Sequence, residues 1–451
     1  MKRLPHLLSC YVLTLFTLIP CWSQMTGRWN GVLEAPGLSL EMSMELSKEG
    51  DGWSGTLTIP VQMIQDMILS DLQIDKQSIS FQLPEVPGNA HYEGQFMADT
   101  QRLAGTFHQA GQSLKLDFLK EDLQQKENLA AAISQFQILV DSLMLKRKLP
   151  GLGIGIVKDG EMLLSRGFGY RDIAQEKKVD DRTLFAIGST TKAMTAAGLA
   201  MLADEGILDW EVPVITYMPD FRLKDPFATK EMTALDLTTH RSGLPRHDLL
   251  WYGSGLNREE LYERLQFLEP TKSFRTTFQY QNLMFMTAGI LVERLSGKSW
   301  EDFTSERILD PLGMSRSNFS VRISEKEANA AVPYVVVAKD SLLAVPYRNL
   351  DAIGPAGSIN SCVQDMMKWV KLNLKQGKVE GSELISKEQF KILHNPHMLM
   401  GSGLPIPKYP EYTPFTYGGG WVIYYNDGVK ILQHGGGIDG FTALVHLLPS
   451  A

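Results

Sequence analysis

A chain of 451 residues, 44% of them hydrophobic and 21% charged, is long enough for two or three domains and a large core. Its formal charge of -7 comes without a basic run, which excludes the phosphate-tracking stripe of a nucleic-acid binder. Three cysteines in this length exclude a disulfide scaffold, and their spacing is not that of a zinc site.

The first residues have the form of an export signal. Lys2 and Arg3 precede an apolar stretch from Leu7 to Ile19, which breaks at Pro20 ahead of Cys21-Trp22-Ser23. A signal peptide over 1–23 is expected, giving a periplasmic or secreted protein with no transmembrane segment in the mature chain. Cleavage after Ser23 would remove Lys2 and Arg3 and no acidic residue, taking the charge from -7 to -9. Lipid attachment at Cys21 is the alternative. Cys10 and Cys21 fall in this segment, so Cys362 is expected to be a buried, inert thiol.

Residues 24–120 alternate with period two. "LSLEMSMEL", "WSGTLTI", "SISFQL", "HYEGQFMA", "LAGTFHQ" and "SLKLDFL" are separated by turn signals such as Glu49-Gly50-Asp51-Gly52 and Pro87-Gly88. The pattern predicts a small antiparallel β-barrel-like domain of about eight strands, since closure removes exposed edges. Gly-x-Leu/Phe units at 55–57, 94–96 and 105–107 are expected where strands bend. No cluster of chemical groups occurs here, so an accessory or packing role is expected.

Residues 121–451 form the second domain. Leu129, Ile133, Phe136, Leu139 and Leu143 lie at helical spacing, closed by Pro150-Gly151. "LGIGIVKDGEMLLSRGFGY" reads as a hairpin turning at Lys158-Asp159-Gly160. Helical patterns dominate from 185 to 395. Strand patterns return at "GGGWVIYYNDGVKILQHGGG" and "FTALVHLL", with a turn at Asn426-Asp427-Gly428. This order predicts an α+β fold: one antiparallel sheet flanked by helices, completed by both ends of the segment, with a helical lobe inserted.

Three stretches carry chemistry, each with a plainer reading beside it. In "AIGSTTKAM", Ser189 and Lys192 share one face at the start of a helix. They are either a cap with a solvated lysine or a nucleophile with its base, and a base requires a neutral lysine. In "FQYQNLMFMTAGILVERLSGKS", Tyr280 and Asn282 lie two apart ahead of a helix. They are a buried tyrosine and an asparagine cap, or a proton relay and an amide that binds substrate. In "ILQHGGGIDGFTALVHLLP", His434 to Gly437 form a flexible loop or a strand that a ligand approaches closely.

In this order the three stretches resemble the signatures of the serine β-lactamase and penicillin-binding-protein superfamily: Ser-x-x-Lys, Tyr-x-Asn and Lys/His-x-Gly. The likeness is nearest to its class C-like serine hydrolases. "LTTHRSGLP", "ERILDPLGM", "GPAGSINSCVQDMMKW" and "YGGGWVI" extend it from about residue 127 onward. The resemblance implies that Ser189 is the acylated nucleophile, activated by Lys192 and Tyr280. It implies that Asn282, His434 and Gly436 bind substrate, and that the N–H groups of Ser189 and Gly437 form an oxyanion hole. It implies no metal and no organic cofactor. His394 and His397 in "HNPH" resemble a ligand pair only faintly.

Two departures shape the expected activity. Superfamily lactamases usually carry lysine and threonine where this chain has His434 and Gly435, so the hydroxyl is absent and the charge only partial. That favours an ester or amide substrate, including D-amino-acid peptides, over a β-lactam or a D-alanyl-D-alanine peptide. An inactive ligand-binding homologue is the third reading. The chain also ends at "HLLPSA", where the family has one or two further strands and a helix, so a missing C-terminal end is expected. Specificity is expected from the irregular loops 245–275, 325–350 and 395–416.

Overall fold

The computed structural model describes residues 25–35, 37–50, 52–337, 341–379, 381–401 and 414–449. The expected signal over 1–23, with Cys10 and Cys21, lies outside them. The chain divides into two compact units, Met1–Gln137 and Ile138–Ala451.

The alternating residues of the first unit form nine antiparallel strands: β1 (Gly27–Ala35), β2 (Leu38–Glu49), β3 (Gly52–Ile59), β4 (Ile64–Ile68), β5 (Ser70–Asp75), β6 (Ser78–Gln82), β7 (His91–Met97), β8 (Arg102–Gln109) and β9 (Gln112–Lys120). Their order is β4-β3-β2-β1-β9-β8-β7-β6-β5, a meander whose ends, β1 and β9, pair with each other. The two outer strands, β4 and β5, are consecutive parts of one bent segment joined at Leu69. The Leu69 N–H donates to the Gly55 carbonyl at 3.0 Å, so the sheet is a nearly closed barrel of about eight staves. One side of each alternation fills the interior. Trp29, Met44, Tyr92, Phe96, Leu103 and Phe118 are fully buried there, and the Trp29 indole donates to the Met25 carbonyl at 3.0 Å.

Gly94 and Gly105 serve packing rather than the expected bend. They face each other across β7 and β8, and the Tyr92 ring lies over both. A Cβ at Gly105 would stand 2.5 Å from the Glu93 carbonyl oxygen, and one at Gly94 would stand 2.6 Å from the Tyr92 hydroxyl. The missing side chains are the space that the ring occupies. Gly105→Ala is therefore expected to cost about 1–3 kcal/mol, the usual range for overpacking. Urea unfolding followed through Trp29 and Trp53 measures it, and an unchanged midpoint would contradict the packing role.

Helix α1 (Glu121–Arg147) crosses the division between the units. The second unit then opens with the expected hairpin, β10 (Gly151–Lys158) and β11 (Glu161–Asp172), turning at Asp159 and Gly160. At its centre is α2 (Thr191–Asp204), in which every residue from Thr191 to Leu202 is buried. An apolar sequence without a polar face is what such a central helix requires. It packs against the helix Asn282–Ser296, also buried from Asn282 to Val292. Five strands near the C-terminus follow in sequence order: Met398–Leu399, Thr416–Tyr417, Val422–Asn426, Val429–Ile438 and Phe441–Leu447. Cys362 is a free, buried thiol whose pKa is raised by burial.

The fold is α+β and β-lactamase-like, but the expected single sheet is two ladders. The hairpin of β10 and β11 and the five C-terminal strands share no pairing among the described residues. β10 and Phe441–Leu447 are edge strands of their ladders, and both line an apolar cavity of about 970 Å³. Each edge faces this space instead of the other edge.

Candidate active site

Ser189 sits in a tight 3-10 turn, Gly188–Thr190, that feeds directly into α2. Its hydroxyl caps no N–H group, so the plain capping reading fails. Lys192, one turn on, is completely buried. Its Nζ lies 2.8 Å from Asn282 Oδ1, 2.6 Å from the Ala356 carbonyl oxygen and 3.1 Å from Ser189 Oγ. Burial, reinforced by the positive charge of Arg246, pushes the lysine pKa far down, against a smaller opposing effect from Asp248. A neutral amine has two N–H groups and one lone pair. Asn282 Oδ1 and the Ala356 carbonyl are pure acceptors and take both N–H groups. The lone pair is left for the Ser189 hydroxyl, which is the arrangement a base needs.

Tyr280 and Asn282 arrive from an extended segment and the first turn of the helix Asn282–Ser296. The cap of that helix is Gln281, whose side chain accepts from the Leu283 N–H at 2.9 Å, so Asn282 is free of capping. Tyr280 is held between two bonds to a single residue. The Gln279 N–H donates to the His240 carbonyl at 2.8 Å, and the Gln281 N–H donates to His240 Nδ1 at 3.0 Å. The His240 ring lies 4.2 Å from the Tyr280 ring. Burial raises the phenol pKa well above its ordinary value, opposed by its hydrogen bond with Ser189. Tyr280 therefore stays protonated and can pass a proton on, but it is no phenolate base. His240, in "LTTHRSGLP", carried no role in the sequence reading; only the block itself marked it.

The strand Val429–Ile438 brings His434 to Gly437 against the nucleophile's turn. Ile438 pairs with Phe441 across a two-residue turn, and pairing alternates along the hairpin. Gly436 thus bonds to Ala443, while the Gly437 N–H turns away from that partner strand. A Cβ at Gly188, which has φ +52°, would stand 2.8 Å from the Gly437 nitrogen. A Cβ at Gly436 would stand 3.1 Å from the Ser189 nitrogen and collide with the Ile187 carbonyl. Only glycine permits this approach at 188 and 436, which brings the strand's backbone close to that of the Ser189 turn.

His434 departs from the expected partial charge. It is buried, its Nε2 lies 2.8 Å from the Tyr417 hydroxyl and its Nδ1 lies 2.7 Å from the Gly435 carbonyl oxygen. The carbonyl accepts, so Nδ1 carries the proton and Nε2 accepts from Tyr417. Burial pushes its pKa down to about 3. The ring is neutral, and both nitrogens are occupied. Past Gly437, Asp439 accepts from the Tyr252 hydroxyl at 2.6 Å and from Arg348 Nε at 3.1 Å. Two of the loops expected to set specificity meet there. His394 and His397 are engaged separately, with Asn373 Oδ1 at 3.2 Å and the Ile392 carbonyl at 2.6 Å.

Known proteins share much of this sequence pattern and fold. The β-lactamase family profile matches residues 129–451. The chain belongs to the β-lactamase family. A hydrolase of unguisins from Aspergillus violaceofuscus is 32% identical over 324 residues, covering 67% of this chain and 57% of its own length. The chain thus spans less than two thirds of the curated relatives it matches. The octameric penicillin-binding protein homologue from Pyrococcus abyssi shares the fold at a TM-score of 0.59 and 27% identity, with 70% of this chain and 71% of that one covered. The D-amino acid amidase from Ochrobactrum anthropi shares it at 0.53 and 20% identity, with 67% and 84% covered.

Replacing the buried amine tests the base directly. Lys192→Met is expected to slow fluorophosphonate labelling of Ser189 by about 10²–10⁴-fold, the usual worth of a positioned base. The far-UV circular dichroism should be unchanged. Equal labelling rates in the two proteins would refute the base.

Proposed function

We propose that this β-lactamase-family serine hydrolase cleaves ester or amide bonds, including those of D-amino-acid peptides, through an acyl-Ser189 intermediate. The observation that carries the chemistry is the buried Lys192 amine, within hydrogen-bond reach of Ser189 Oγ and with two pure acceptors, Asn282 Oδ1 and the Ala356 carbonyl, beside it. Lys192 takes the hydroxyl proton as Ser189 Oγ attacks the carbonyl. The Ser189 and Gly437 N–H groups bind the resulting oxyanion, and Asn282 holds the acyl-side amide with its remaining N–H. Tyr280 relays the proton from Lys192 to the leaving group, whose bond to carbon then breaks. Water, activated through the same groups, cleaves the acyl-serine and regenerates the hydroxyl.

The substrate preference rests on His434. At that position the family resemblance expects a group that helps hold a substrate carboxylate, and here stands a neutral ring with both nitrogens engaged beside a glycine. A carboxylate next to the scissile bond would meet no cation at positions 434 and 435. A β-lactamase or D-alanyl-D-alanine carboxypeptidase is disfavoured on that ground. A purely binding homologue is disfavoured because a binder has no need of Ser189, Lys192, Tyr280 and Asn282 together. The sequence of residues 1–23 supports export, with action in the periplasm or outside the cell.

Matched substrates decide the preference. Turnover of an aryl acetate and of D-phenylalanine amide is compared with that of D-alanyl-D-alanine and a penicillin, with Ser189→Ala as control. The expected kcat/KM is at least about tenfold higher for the carboxylate-free pair, the scale set by one unpaired polar group. Penicillin hydrolysis rivalling the ester would overturn the assignment.

A further inference from the structure

Asp248 opens a short 3-10 turn, Asp248–Leu250, within one of the irregular loops, and it contacts the Asn282 amide beside the catalytic pair. Its Oδ1 accepts from Asn282 Nδ2 at 3.3 Å and from the Trp251 indole N–H at 3.1 Å. Its Oδ2 accepts from Arg246 Nε at 2.6 Å. The carboxylate is thus fixed by the guanidinium and the indole while it holds one N–H of Asn282. We propose that Asp248 is a positioning residue that locks the Asn282 amide in the one orientation that leaves the Lys192 lone pair to Ser189. The inference rests on the acyl-serine reading and deepens it.

The reason lies in the two faces of an amide. Asn282 could sit with either its oxygen or its NH₂ toward Lys192, since the two differ little in shape. With oxygen inward, Lys192 donates to it at 2.8 Å and keeps its lone pair for the serine. With NH₂ inward, Asn282 would donate into that lone pair. Lys192 would then have only an N–H to offer Ser189 Oγ, and the hydroxyl proton would have no acceptor there. Asp248 excludes the second state because a carboxylate is acceptor-only and repels an amide oxygen turned toward it. It also leaves the second N–H of Asn282 unclaimed by Asp248 and available to the substrate amide.

Asp248 also belongs to the charges felt by Lys192. Around the amine stand Ser189, Asn282, the Ala356 carbonyl and the rings of Tyr280 and Phe285, with the neutral His240 and His434 behind them. The charged groups acting on it are Arg246, which lowers its pKa, and Asp248, which raises it. Removing the carboxylate therefore has a signature beyond any loss of packing. The lysine loses a proton-retaining neighbour, and the acid limb of the acylation rate moves to lower pH.

The test uses the full chain and a fluorophosphonate probe, with the labelling rate and the apparent binding constant separated. Asp248→Leu is expected to slow the bound-state labelling of Ser189 by about 10–100-fold, as loss of a transition-state orientation does, with little change in probe binding. Its acid limb should shift to lower pH. Asp248→Asn, which keeps the shape if the leucine variant fails to fold, should fall between it and the unmodified protein. In an Asn282→Ala background, Asp248→Leu should cost about threefold or less, because the residue acts through that amide. Full additivity of the two losses, or a slower rate with an unmoved acid limb, would overturn the inference. Absence of Ser189 labelling in the unmodified protein would instead refute the acyl-serine reading.

Discussion

The burial of one amine organises the site. Lys192 is surrounded on all sides, and a charged ammonium there would lack the water it needs. Burial therefore favours the neutral amine, and Asn282 Oδ1, the Ala356 carbonyl and Ser189 Oγ surround it. Its need for hydrogen-bond partners is met where the Ala356 carbonyl and Asn282 converge on the amine. The cost has a definite sign. An unfolded lysine holds its proton up to its ordinary pKa, whereas the folded one releases it far lower. Stability from this group therefore rises with pH across the interval between the two values.

The same economy of charge extends through the cleft. His240, His434, Tyr280 and Tyr417 are all neutral by burial, and their rings pack against one another around the reacting groups. The formal charges, Arg246 with Asp248 and Arg348 with Asp439, stand at more exposed positions in loops and at the strand turn, and each is paired. In the proposed reaction, charge developing on the substrate would be met mainly by fixed dipoles, the N–H groups of Ser189 and Gly437. It offers no ammonium at the strand where the lactamase pattern places one.

Some of this was legible in the sequence and some was not, for physical reasons. Alternation with period two gave away the barrel, because within most of its strands alternate residues face one core. Ser189 and Lys192 were legible because i,i+3 spacing places them on one helix face whatever surrounds it. Gly436 lies against the backbone of the Ser189 turn, an approach by the chain itself that the sequence could not specify, and Gly94 and Gly105 serve the shape of the Tyr92 ring rather than a bend. Charge state was hidden: His434 is neutral because it is buried, and that burial follows only from the fold. The Ala356 carbonyl was invisible, as a backbone atom has no signature in composition. Asp248 and His240 lie in loops without periodicity, where only the fold reveals what they touch.

The central claim is that a neutral Lys192 takes the proton of Ser189. It is tested most directly by the rate of Ser189 acylation, read by mass spectrometry of the adduct, as a function of pH. With the amine already deprotonated, the rate should reach its plateau by about pH 7–8, the working range of a tuned lysine base, and stay flat above it. A rate that keeps climbing toward the ordinary lysine pKa would mean that the amine is charged in the resting protein, and the account would be wrong.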